Sequence, residues 1–175
     1  MHRVDRPQPE SITIELLADR HDLLIPLASI RWHEWSDHPG REDLQWWIDT
    51  TQRETGRTAP PVTFVATDGA GDAVGGVGLI PVEHPELAHR GPWVVGTIVR
   101  PDRRSHGVGT VLITQLKQWA AQAGINQLWV ATGGRATGFY RRCGFQPIDV
   151  VNLPNGDRPT ILNAPLGRSA NDGTG

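Results

Sequence analysis

The sequence predicts an α+β fold, with a mixed sheet carrying helices on both faces. Three observations lead there. Runs of strand and helix character follow one another in the order β-α-α-β-β-β-α-β-α-β-β. Two glycine-bearing turns, Asp68-Gly69-Ala70-Gly71-Asp72 and Asn155-Gly156-Asp157, separate apolar runs and read as hairpins. Past mid-chain, the β-rich run Trp93-Val94-Val95-Gly96-Thr97-Ile98-Val99 feeds a helix through a loop of glycines and basic residues.

Each element has its own justification. Residues 11–16 alternate apolar and polar, as a strand with one buried face does. Asp19 caps a helix expected over 20–35. Its Leu23, Leu24, Ile25, Leu27 and Ile30 recur near helical spacing, and Pro26 falls in the first turns, where proline is tolerated best. The run Ser36-Asp37-His38-Pro39-Gly40 breaks it. A second helix is expected over 41–55, with Leu44, Trp47 and Ile48 on one side; Gly56 ends it and Pro60-Pro61 prevents continuation. Strands over 62–67 and 73–82 flank the first hairpin turn, and 83–91 is a loop. The helix over 111–123 places Val111, Leu112, Leu116, Trp119, Ala120 and Ala123 on one face before Gly124 stops it. A buried strand over 128–132, a short helix over 135–143, and strands over 145–153 and 159–166 complete one domain, 11–166. Polar tails are expected at 1–10 and 167–175.

Composition narrows the function. A net charge of −2 supplies no field favouring nucleic acid or an anionic membrane. No apolar run approaches the about 20 residues of a membrane helix. No signal peptide is read at 1–10, and the lone Cys143 suits a reducing cytoplasm and a packing role. His33, His38, His84 and His89 fall at no metal-ligand spacing.

The loop after residue 99 is the chemically informative stretch. A strand-to-helix turn aims unpaired backbone N–H groups, and the positive end of the helix dipole, at whatever sits above the helix start. Gly107 and Gly109 lack a Cβ and let the backbone approach a ligand, while Arg103 and Arg104 supply counter-charge. A Walker loop is absent, and no third glycine completes a dinucleotide fingerprint. What remains is Arg-x-x-Gly-x-Gly on Arg104, Gly107 and Gly109, which resembles the acyl-CoA-binding segment of the GCN5-related N-acetyltransferase (GNAT) family. Val99-x-Pro101 upstream and Ala136-x-x-Phe139-Tyr140-x-x-x-Gly144-Phe145 downstream extend the resemblance. The segment from Glu83-His84 to Gly91-Pro92-Trp93 is similar to a bacterial branch of the family with largely unassigned substrates.

The resemblance implies a three-layer α/β/α fold. Its sheet is mixed, mostly antiparallel, of about seven strands, and splayed between the fourth and fifth. The pantetheine arm of acetyl-CoA enters that splay, where unpaired strand backbone can receive it. It further implies acetyl transfer to a primary amine by direct attack in a ternary complex. Ile98, Val99, Arg100, Arg103, Arg104, Ser105, His106, Gly107, Val108, Gly109, Thr110, Thr132 and Tyr140 would bind the cofactor. Gly133 stands where relatives often carry an asparagine that contacts it. Tyr140, the only tyrosine, would protonate the leaving thiolate, its ordinary pKa of about 10 lying near a thiol's. A backbone N–H near Val99 would stabilise the oxyanion. No carboxylate lies on the fourth or fifth strand, so the base is sought in the preceding loop: Glu83 first, with His84 and Glu86 nearby. Trp32, Glu34, Trp35, Glu83 and Trp93 would wall the acceptor site, with Trp46 and Trp47 close to it. Aromatic faces there suit a cationic amine, and Glu34, Asp37, Glu42 or Asp43 would steer it. The expected acceptor is a small-molecule amine; a peptide or protein amine, or a non-catalytic acyl-CoA-binding role, are the alternatives. Many relatives are homodimers.

Overall fold

A computed structural model describes residues 11–167. The tail expected at 1–10, and the one expected after Gly167, lie outside the described residues. Seven strands, β1 (Thr13–Leu16), β2 (Val62–Thr67), β3 (Ala73–Ile80), β4 (Trp93–Val99), β5 (Gln127–Thr132), β6 (Gln146–Val150) and β7 (Thr160–Pro165), form one sheet in the order β1-β2-β3-β4-β5-β7-β6. Every neighbouring pair is antiparallel except β4 and β5. Four helices cover it: α1 (Leu24–Trp35), α2 (Leu44–Arg53), α3 (Val108–Gln122) and α4 (Ala136–Arg142).

Period-2 alternation along β2 sorts the two faces. Phe64 and Ala66 join Leu112, Leu116 and Ala120 of α3, whereas Val65 joins Leu24 and Leu27 of α1. The layers are therefore α1 and α2, the sheet, then α3 and α4. Asp43 caps α2 by accepting from the Gln45 N–H at 3.0 Å.

Two departures from sheet regularity create the working centre. The parallel β4–β5 register consists of one pair, Trp93 and Trp129, so β4 parts from β5 beyond it. Between Gly78↔Val95 and Gly76↔Ile98, two β4 residues, Gly96 and Thr97, oppose the single Val77. This is a β-bulge whose first residue, Gly96, has φ +60°. A Cβ there would lie 2.7 Å from Nη2 of Arg31.

The expected elements are all present, and the differences have physical causes. The first helix begins at Leu24, because 17–19 and 21–23 are separate 3-10 turns. Ile25 is exposed, and the buried stripe of α1 is Leu24, Leu27, Ala28 and Arg31. On α3, Val111 is exposed and Ala123 lies beyond the helix, while Val108 and Ile113 are buried. Starting the helix at Val108 rotates the buried face by a few residues.

Candidate active site

Three connected hollows run along β4. At its C-terminal end a cradle of about 300 Å³ lies between Val99, Arg103 to Ser105, Gly107 to Thr110, Phe139 and Arg142. It shares Val99, Arg104, Gly109 and Phe139 with a groove of about 580 Å³ that also borders Glu34, Thr97, Ile98 and Tyr140. Beyond Trp35, which lines both, a cavity of about 580 Å³ is walled by Arg31, Arg41, Trp46, Trp47, Glu54, Glu83, Val95 and Gly96. The bulge divides them: Val95 and Gly96 face the cavity, and Thr97 to Val99 face the groove.

The cradle presents unpaired backbone N–H groups at a helix start, an arrangement suited to an anion. Gly107 caps α3 with φ +81°, no side chain caps the helix, and its first backbone bond runs from Val111 N–H to Gly107 O. The N–H groups of Val108, Gly109 and Thr110 are left for a ligand, with the helix dipole behind them. Gly109 owes its identity to packing: a Cβ would sit 3.1 Å from the Phe139 ring. At Gly107 a Cβ would meet nothing within 4 Å, and it is the left-handed backbone that selects glycine there.

The basic residues of the loop are engaged by neighbours. Arg104 reaches Glu34 on α1 at 2.9 Å and donates from Nε to Val99 O. Arg103 pairs with the buried Asp68 at 2.9 Å, and Arg100 pairs with Asp102 and donates to Ala73 O. Arg100 is thus turned toward β3 and is absent from the cradle lining. His106 lies 3.3 Å from Arg103 O, and Ser105 has φ +65°. Thr132 and His106 line none of the three hollows. Arg142 does line the cradle, and the sequence reading passed over it because a helical arginine ordinarily reads as solvated.

Tyr140 lies against the groove, buried between Phe139 and Phe145, and its hydroxyl donates to Thr97 Oγ1 at 2.8 Å. Burial pushes its pKa up to about 12, opposed by the Thr97 bond and reinforced by the nearby Glu83. The near match with a thiol expected from the sequence is therefore corrected. This phenol stays protonated at neutral pH, a hydrogen-bond donor rather than a source of a proton. Arg100 N–H bonds Val74 O on β3, so strand alternation turns the Val99 N–H toward the splayed edge.

On the cavity side, Glu83 is mostly buried, its Oε2 has no partner, and burial lifts its pKa to about 7, with Arg41 opposing the rise. Oε1 lies 3.9 Å from His84 Nε2. Arg31 is 1% exposed. Its Nη1 donates to Thr51 Oγ1 at 3.1 Å and lies 3.6 Å from Glu54 Oε2, while Nε and Nη2 have no acceptor. Arg41 lies over the Trp46 ring at 4.8 Å, and Trp35 stacks on Trp47.

Of the five residues expected to wall the acceptor site, Glu83 and Trp35 line the cavity. Glu34 lines the groove instead, held there by Arg104. Trp93 is wholly buried and donates to Arg90 O, so it supports the cavity floor from behind. Trp32 donates to Glu42 O and ties α1 to the next loop, outside the cavity. Asp43 and Glu42, expected to steer a cation, accept from the backbone N–H groups of Gln45 and Gly40. Arg31, Glu54 and Thr97 were missed. Arg31 falls on the apolar stripe of α1, and a charge at such a position was the available signal. Among the described residues no group of three or more His, Cys, Asp or Glu side chains could hold a metal ion, and no helix is long and apolar enough to cross a membrane.

A family model described as the acetyltransferase (GNAT) family matches residues 22–145. No curated protein sequence matches the chain. Among solved structures, an aminoglycoside 6′-N-acetyltransferase complexed with coenzyme A superposes with a TM-score of 0.71 at 18% identity, covering 90% of this chain and 99% of that one. An aminoglycoside 6′-acetyltransferase type Ii gives 0.67 at 19% identity, covering 90% and 99%. A spermidine N-acetyltransferase chimera from Vibrio cholerae and hSSAT gives 0.66 at 15% identity, covering 88% and 95%. At these identities the likeness is one of fold.

Proposed function

The chain belongs to the GNAT acetyltransferase family, and from that premise we propose that it is an acetyl-CoA-dependent N-acetyltransferase acting on the primary amine of a small molecule by direct attack in a ternary complex. The observation that carries this is the unbroken run of cradle, groove and cavity along β4, with Tyr140 and Glu83 near its middle.

The cosubstrate supplies an electrophilic thioester carbonyl and a thiolate leaving group. For this chain, the N–H groups of Val108 to Thr110 hold its diphosphate, helped by Arg142 and by Arg103 and Arg104 once these share their carboxylate partners. The Val99 N–H faces the developing oxyanion. Tyr140 turns its single O–H from Thr97 Oγ1 to the departing sulfur, and the Thr97 hydroxyl, 2.8 Å away, then donates to the phenol oxygen. Glu83, with a pKa of about 7, takes the proton that the amine sheds as the new C–N bond forms. A cavity of about 580 Å³ beside the thioester supports a small acceptor, being within the size range of small-molecule sites. A cytoplasmic location agrees with the single free cysteine, Cys143.

The test is thiol release from acetyl-CoA against a panel of aminoglycosides, polyamines, amino acids and peptides. Amine-dependent thiol release is expected with a small-molecule member. Thermal stabilisation by coenzyme A with no turnover of any member would overturn the transferase reading and leave an acyl-CoA-binding module.

A further inference from the structure

We propose that the acceptor is a zwitterion carrying a carboxylate beside its amine, an amino acid with an apolar side chain, held in the cavity by Arg31 and Arg41. This rests on the transferase reading above and names the class of its acceptor.

Arg31 carries the weight. It is the most buried charged residue among the described residues, yet of its five N–H donors one, on Nη1, bonds Thr51, and the three on Nε and Nη2 have no acceptor. Glu54 does not satisfy it: the closest approach, 3.6 Å, is too long for a hydrogen bond, and Glu54 Oε2 has no partner either. A buried guanidinium left with open donors is costly unless a ligand completes it. Its open Nε and Nη2 form the edge that matches a carboxylate in two parallel bonds. Nη2 lies against Gly96, where a Cβ would come within 2.7 Å, so only glycine at the bulge leaves room beside that edge.

Arg41 gives a second, independent reason. It rests on Trp46 at 4.8 Å and near Trp47 at 5.7 Å, and makes no ion pair among the described residues. The cavity thus presents two guanidiniums against Glu54 and Glu83. Burial favours the neutral form of both carboxyls. A polycation entering this space meets repulsion from the guanidiniums, whereas a molecule with one carboxylate and one amine pairs its carboxylate with them and offers its amine to Glu83. Trp35, Ile80, Val95 and Ala131 offer the remaining wall to an apolar side chain.

The experiment compares kcat/KM for L-methionine, L-phenylalanine and L-tryptophan with that for their primary amides and decarboxylated amines. A preference of at least tenfold for the carboxylate is expected, even though the amides carry the less basic amine. Arg41→Gln should raise KM for the amino acids at least tenfold and bring the ratio toward one. Arg31→Lys, which keeps the charge but loses the fork, should lower the same ratio; a uniform fall for acids and amides alike would mark Arg31 as a strut and overturn its part. Better turnover of amides or of spermidine than of any amino acid overturns the proposal and leaves the transferase reading intact. Should no amine turn over, calorimetry with N-acetyl-L-phenylalanine and its amide on the coenzyme A-loaded protein still decides: carboxylate-dependent binding upholds the site, and equal or no binding overturns it.

Discussion

At the C-terminal end of β4 the donors that await a ligand are backbone groups at a helix start, and Arg103 and Arg104 beside them already have partners. Three residues earlier, at the bulge, the waiting groups are side chains: Arg31 and Glu54 are buried, Glu83 is half-buried, and each has a buried atom without a partner. In the function proposed above, the first region would hold a ligand whose shape is generic, an anionic diphosphate, which needs only glycine, a turn and a dipole. The second, as proposed, would discriminate among acceptors with groups drawn from α1, the end of α2 and the loop after β3. A cofactor site can thus stay folded and electrically satisfied when empty, while the acceptor site carries open valences that substrate completes.

Perturbing each region separately tests that contrast. The largest effect is expected at their junction: Tyr140→Phe should lower kcat about 10²-fold, the loss of one hydrogen-bond donor to developing charge, with little change in KM for acetyl-CoA in steady-state assays. Next comes Glu83→Gln. In the parent protein kcat/KM should rise with pH through about 7 as the carboxylate forms, and the variant should lose that limb. Stability should move oppositely. A carboxyl whose pKa is raised by folding is tolerated below its unfolded value of about 4.3 and becomes increasingly costly as pH climbs through about 7. Glu83→Gln should therefore gain melting temperature relative to the parent across that window in thermal scans. Arg142→Gln, at the cradle, should raise KM for acetyl-CoA about tenfold at low salt and less at high salt, the value of one charge-assisted bond subject to screening. The smallest effect is Asp43→Ala, which removes the α2 cap: about 1 kcal/mol of stability by denaturant titration, with KM for acetyl-CoA unchanged.

The same contrast explains what was legible in the sequence. β4 falls at the residues expected, and the cradle was readable because its chemistry is local: Arg104, Gly107 and Gly109 lie within six positions. Tyr140 was reachable through the second motif. The acceptor cavity was legible only in part: Glu83 and Trp35 were expected there, but Arg31, Arg41 and Glu54 join them only through folding, from segments that show no shared spacing. Trp93 and Trp32 illustrate the limit from the other side. Their type suggested a wall, but one is enclosed by the β4–β5–β7 face and the other is turned toward Glu42. The bulge at Gly96 could not be read at all, because a glycine within a strand does not announce the register shift that surrounds it.

The central claim is that a diphosphate rests on the N–H groups opening α3. Isothermal titration of coenzyme A against pantetheine, which has the arm but no phosphate, tests it most directly. Coenzyme A should bind at least tenfold more tightly, with the difference shrinking as salt is raised. Equal affinities, or no heat from coenzyme A, would contradict the account.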